Sequence, residues 1–89
     1  MAIDFQQIRS TDEANSIVEA HAPKGTSRAA VELLMEQSGA QLYPQEGGLI
    51  CVWEANVSEI VKQKWLLSFA FDRIGRLTAY SINGGLVGP

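Results

Sequence analysis

Trp65-Leu66-Leu67-Ser68-Phe69-Ala70-Phe71-Asp72-Arg73-Ile74-Gly75-Arg76-Leu77 is the stretch that decides how this chain folds. A β-strand turns successive side chains to opposite faces, so the bulky Trp65, Leu67, Phe69 and Phe71 share one face. Leu66, Ser68, Ala70 and Asp72 share the other. Arg73-Ile74-Gly75 then reads as a three-residue hairpin loop, a type I turn closed by a left-handed Gly75. That loop length pairs Asp72 with Arg76, Phe71 with Leu77 and Phe69 with Ala79, and the strand returns over Leu77–Ile82.

This register carries a functional expectation. With Phe69, Phe71 and Leu77 turned inward, strict alternation puts Leu66, Ser68, Ala70, Thr78, Tyr80 and Ile82 on the outer face. Such a face is normally polar, whereas Leu66, Tyr80 and Ile82 would stand together on this one. Contiguous apolar patches mark interfaces. Leu66, Thr78, Tyr80 and Ile82 are therefore the predicted partner-binding residues, for a protein partner or a second copy of the chain. The competing reading is that Ile3, Phe5 and Ile8 fold back and cover the patch.

Working toward the N-terminus, Leu49–Glu54 is a compact β-favouring apolar run. Gln45-Glu46-Gly47-Gly48 is a turn or loop, and Leu42-Tyr43-Pro44 is ambiguous. Before Ala40 the period changes. Ser10-Thr11-Asp12-Glu13 has the form of a capping box, and Ala14, Ile17, Val18 and His21 follow at helical spacing until Pro23 stops the helix. Thr26 or Ser27 caps a second helix with Ala30, Val31, Leu34 and Met35 on one face, closed by Gly39.

The order predicts an α+β fold: two N-terminal helices, a helical hairpin, packed on a three-stranded antiparallel β-meander. Residues 1–89 form a single domain, with an N-terminal segment over 1–9, the hairpin over 10–39, the sheet over 40–83 and a mobile tail over 84–89.

Composition narrows the function. An apolar fraction of 46% and a charged fraction of 19% belong to a globular chain rather than a disordered one. Eighty-nine residues bury only roughly 60–65% of the unfolded surface, which leaves little room for both a core and a deep cleft. The net charge of −3, with seven scattered Lys and Arg, does not suit phosphate neutralisation, so nucleic acid is not an expected partner. No stretch reaches the ~20 apolar residues of a membrane span. Met1–Gln7 lacks the basic head and apolar run of a signal peptide. The chain reads as cytoplasmic as it stands, or as periplasmic or outer-membrane-associated if a leader has been removed.

Candidate chemistry is sparse. His21, the single histidine, reads as a partly buried ring near a helix end, where a protonated imidazole suits the dipole. Cys51, the single cysteine, lies between Ile50 and Val52 and reads as a small hydrophobe. A Cys51–His21 dyad rests only on the presence of both residues. Asp12 and Glu13 are explained by the cap, Glu32 and Glu36 by a solvated helix face and Asp72 by the turn. No spacing supplies the three or more converging ligands of a metal site, and Gly47-Gly48 and Gly84-Gly85 are too short for phosphate loops. No catalytic, cofactor or metal residues are predicted.

Two blocks resemble a known family. Lys24-Gly25-Thr26-Ser27-Arg28-Ala29-Ala30-Val31-Glu32-Leu33-Leu34 with Gly39, and Phe69-Ala70-Phe71-Asp72-Arg73-Ile74-Gly75-Arg76-Leu77, are similar to the SmpA/OmlA, or BamE-like, domain. That fold is shared with the β-lactamase inhibitory protein. The family usually has Gly-x-Pro after helix 2, whereas here Gly39 is followed by Ala40-Gln41. The resemblance implies a non-enzymatic protein-binding or scaffold module. An inhibitor or immunity-type protein that blocks an enzyme is the alternative, and a small enzyme built on Cys51 and His21 the third reading.

Overall fold

The computed structural model describes residues 2–87. Its elements are a short 3₁₀ turn at Phe5–Gln7, helices α1 (Thr11–His21) and α2 (Arg28–Gln37), and strands β1 (Gln41–Gln45), β2 (Gly48–Asn56), β3 (Lys62–Phe71) and β4 (Leu77–Val87). The class is α+β as expected, but the strand count is not. The sheet has four antiparallel strands in the order β1-β2-β3-β4. The unanticipated strand is β1, which pairs Leu42 with Cys51 and Gln45 with Gly48 across a tight turn.

Both helices start where their caps place them. Ser10 Oγ accepts the Glu13 N–H at 3.1 Å, and Ser27 Oγ accepts the Ala30 N–H at 3.2 Å. Gly39, at φ +85°, supplies the left-handed residue that closes α2. The expected tight helical hairpin gives way to separate docking on the sheet, with α1 chiefly over β4 and α2 over β1. The core lies between them: Ala14 and Val18 from α1, Val31, Leu34 and Met35 from α2, and Leu49, Cys51, Trp65, Leu67, Phe69, Phe71 and Leu77 from the strands.

The N-terminal segment completes this core. Ile3, Phe5 and Ile8 are buried in it. The Ile3 N–H donates to Ser38 Oγ at 2.8 Å, and the Gln63 side-chain amide donates to the Phe5 and Ile8 carbonyls at 3.3 and 3.2 Å. Gln63 is on the inner face of β3, so this segment packs on the helix side and leaves the outer face of the sheet open.

The 72–76 loop forms as its chemistry predicts. The Asp72 N–H donates to the Arg76 carbonyl, Asp72 Oδ1 accepts the Ile74 and Arg76 N–H groups, and Gly75 takes φ +81°. Phe71 pairs with Leu77 as expected, but the next step departs. Ala70 pairs with Ala79 and Phe69 with Tyr80, because a β-bulge inserts Thr78 into β4. The predicted Phe69–Ala79 pair is displaced by one residue. β4 also runs on through Gly84-Gly85 to Val87, so the expected mobile tail is strand over residues 84–87. Residues 88–89 lie outside the described residues.

Candidate functional site

The bulge redistributes the predicted partner-binding residues. Leu66 and Thr78 are exposed on the outer face as expected, but Tyr80 and Ile82 turn to the core side. Ile82 is buried in the core, paired across the ladder with Leu67. Tyr80 is half-buried, its ring 6.3 Å from that of Phe69, and its hydroxyl donates to the Asn15 carbonyl of α1 at 3.1 Å. Burial raises the Tyr80 phenol pKa, and the nearby Glu19 carboxylate raises it further. The expected cluster of Leu66, Tyr80 and Ile82 does not form, since a one-residue insertion reverses the facing of all that follows it.

A different apolar cluster occupies the outer face. Alternation in β3 leaves Lys62, Lys64, Leu66, Ser68 and Ala70 pointing out. Val52 stands opposite Leu66, and Tyr43 opposite Ile50, on the same face. Tyr43 is 48% and Leu66 40% exposed, while Ile50 and Val52 are partly exposed between them. Glu54 with Lys62 and Lys64 border one end, and Ser68 and Ser81 lie beside the cluster. Tyr43, Ile50 and Val52 are the residues that sequence reading missed. Leu49–Val52 is apolar at every position and so shows no alternation, and nothing local marks β1 as a strand.

Cys51 and His21 lie in different surroundings. Cys51 is fully buried in β2, and burial, with a smaller push from the Glu32 carboxylate, raises its pKa from 9.0 to about 12. A thiol so shifted holds its proton at neutral pH, and the thiolate is the nucleophile. His21 is exposed rather than partly buried, and its Nδ1–H donates to the Ile17 carbonyl at 2.9 Å.

A cleft of about 570 Å³ opens between the N-terminal segment, the start of α1 and the β3–β4 edge. Its walls include Arg9, Ser10, Asn56, Gln63, Trp65 and Gly84. Among the described residues Arg9 is the single charged side chain lining it. Trp65 Nε1 is buried without a hydrogen-bond partner among the described residues. Those residues also contain no group of three His, Cys, Asp or Glu side chains that could hold a metal ion. None of their helices is long and apolar enough to cross a membrane. No family model, curated protein or solved structure matches the chain.

Proposed function

We propose that this chain is a non-enzymatic protein-binding module that engages its partner through the open face of its sheet. The observation that carries this reading is the apolar cluster of Tyr43, Ile50, Val52 and Leu66 on the face opposite the helices. Aromatic and aliphatic anchors within a polar border are the usual anatomy of a binding patch. The likeness of the Lys24–Leu34 and Phe69–Leu77 blocks to the SmpA/OmlA domain supports the same reading.

The test compares the wild-type chain with a Val52→Glu/Leu66→Lys variant as immobilised bait. Both side chains point to solvent, so circular dichroism should show an unchanged fold. A specific partner retained by the wild type and lost with the variant is the expected result. Retention of the same proteins by both baits would sink the reading.

A further inference from the structure

The two edges of the sheet are built differently. β1 is short, carries Pro44 at its fourth position, and has Arg28 Nη2 donating to the Gln45 carbonyl at 3.2 Å. Short length, proline and charge are the devices that keep an edge strand from pairing with another chain. β4 has eleven residues, with no charged side chain and no proline from Leu77 to Val87. Among the described residues only the backbone of its first position is bonded from outside the sheet. The Leu77 N–H donates to the Thr26 carbonyl, and the Leu77 carbonyl accepts the Gly25 N–H, both at 2.8 Å.

Those two bonds also fix which way the β4 backbone faces. Leu77 turns both of its groups away from β3, and antiparallel alternation, reset by the bulge at Thr78, turns those of Tyr80, Ile82 and Gly84 the same way. Among the described residues none bonds to these groups from outside the β3 ladder. They form a row of three N–H and three C=O groups on an uncharged strand.

We propose that this edge pairs with the β4 edge of a second copy, antiparallel about a two-fold axis at Ile82. In that register Ile82 bonds to its symmetry mate, and Tyr80 of each chain bonds to Gly84 of the other. The six outward groups of Tyr80, Ile82 and Gly84 on each strand are satisfied at once. Self-pairing needs no complementary charge from the strands, because neither strand brings any. Ser81 stands beside Asn83 of the second copy, both small and polar. The two guarded β1 edges become the ends of a continuous eight-stranded sheet, so assembly closes as a dimer rather than growing into a filament. The surface is an edge, and it is independent of the face proposed above to bind a partner.

Ser81 and Asn83 are exposed on the outer face, and directly opposed side chains in such a pair lie about 5 Å apart. The test is sedimentation of three proteins at tens of micromolar. Wild type should sediment as a dimer. Ser81→Lys/Asn83→Lys and Ser81→Glu/Asn83→Glu should each sediment as folded monomers, because each would oppose like charges twice. An equimolar mixture of the two variants should recover the dimer. In the wild type, the Tyr80, Ile82 and Gly84 amides should exchange with solvent slowly in concentrated solution and faster on dilution. A monomeric wild type, a dimer untouched by either charge pair, a mixture that stays monomeric, or a dimer split by Leu66→Lys alone would each overturn the proposal.

Discussion

Gly84 faces Trp65 across the β3–β4 ladder, on the side of the sheet that holds the core. A Cβ built there would sit 2.6 Å from the Lys64 carbonyl oxygen, 2.7 Å from Trp65 Cδ2 and closer still to Cε3. Gly84 is not in the left-handed region, so backbone strain is not the issue. Alanine there should otherwise help, since glycine in a strand interior is worth roughly 0.5–1 kcal/mol less than alanine. The clash reverses the sign. The indole is 2% exposed and borders the cleft, but the Lys64 carbonyl belongs to the neighbouring strand's own backbone, which cannot swing aside as a side chain can. Overpacking of this kind costs about 1–3 kcal/mol. That is a large share of the about 4–13 kcal/mol expected for a domain of this length. We expect Gly84→Ala to lose about 2 kcal/mol, which lowers the urea midpoint by about 1–2 M at the usual slope for small domains. Far-ultraviolet circular dichroism reads the transition without depending on tryptophan. Trp65→Leu removes the ring but not the Lys64 carbonyl, so combining the two changes should cost less than their sum while restoring only part of the loss. A neutral or stabilising Gly84→Ala would refute this account of the packing.

Two further outcomes follow from the turn and the core. Gly75 sits at φ +81°, and a Cβ added to it would meet nothing within 4 Å, so its cost on substitution is conformational rather than steric. Gly75→Ala should therefore destabilise by about 1–2 kcal/mol in urea titrations and Gly75→Val by more, because a β-branched side chain tolerates positive φ least, and a neutral Gly75→Ala would contradict this. The Cys51 thiol, pushed from 9.0 to about 12, keeps in the folded state a proton that the unfolded chain releases above pH 9. Its contribution to stability is whole below pH 9 and is lost as pH climbs toward 12, by up to about 1.4 kcal/mol per unit. Cys51→Ala should flatten that slope between pH 9 and 10.5, and parallel pH profiles for the two proteins would count against it.

The sequence shows most where a signal is local. The 72–76 loop is legible because Asp72 and Gly75 each do one thing within five residues, accepting two backbone N–H groups and taking a positive φ. β3 is legible because its inward positions carry the large side chains. β1 is not, because Gln41-Leu42-Tyr43-Pro44-Gln45 has neither alternation nor β-propensity at its ends. Pairing with β2 makes it a strand, and an edge position tolerates the missing Pro44 N–H. The apolar residues of the N-terminal segment suit a cover for either face of the sheet. The deciding contact is Gln63 reaching the Phe5 and Ile8 carbonyls more than fifty residues away, and no local pattern announces it.

The outer-face cluster expected from strict alternation is off by a single residue, and the reason is in the strand itself. Without the bulge, the Phe71–Leu77 pair would continue inward as Ala79, Ser81 and Asn83, bringing two polar side chains beneath Leu67 and Trp65. Each would lose its water on entering the core, and a buried polar group left unpaired costs about 1–3 kcal/mol. With Thr78 inserted, the inward set becomes Tyr80, Ile82 and Gly84. Ile82 then fills the core, Tyr80 reaches the Asn15 carbonyl, and Gly84 leaves room for the Trp65 indole. The cost is one unpaired ladder position, eased by Thr78 Oγ1 donating to the Ala70 carbonyl at 3.1 Å. Burying Ile82 alone is worth about 2 kcal/mol, so the bulged register wins. The sequence does carry this comparison, in the change of parity between Leu77 and the apolar pair Tyr80 and Ile82. Strict alternation from the hairpin cannot reveal it; weighing both inward sets against the core can. The same insertion that removes Tyr80 and Ile82 from the outer face turns their backbone groups to the open edge of the sheet.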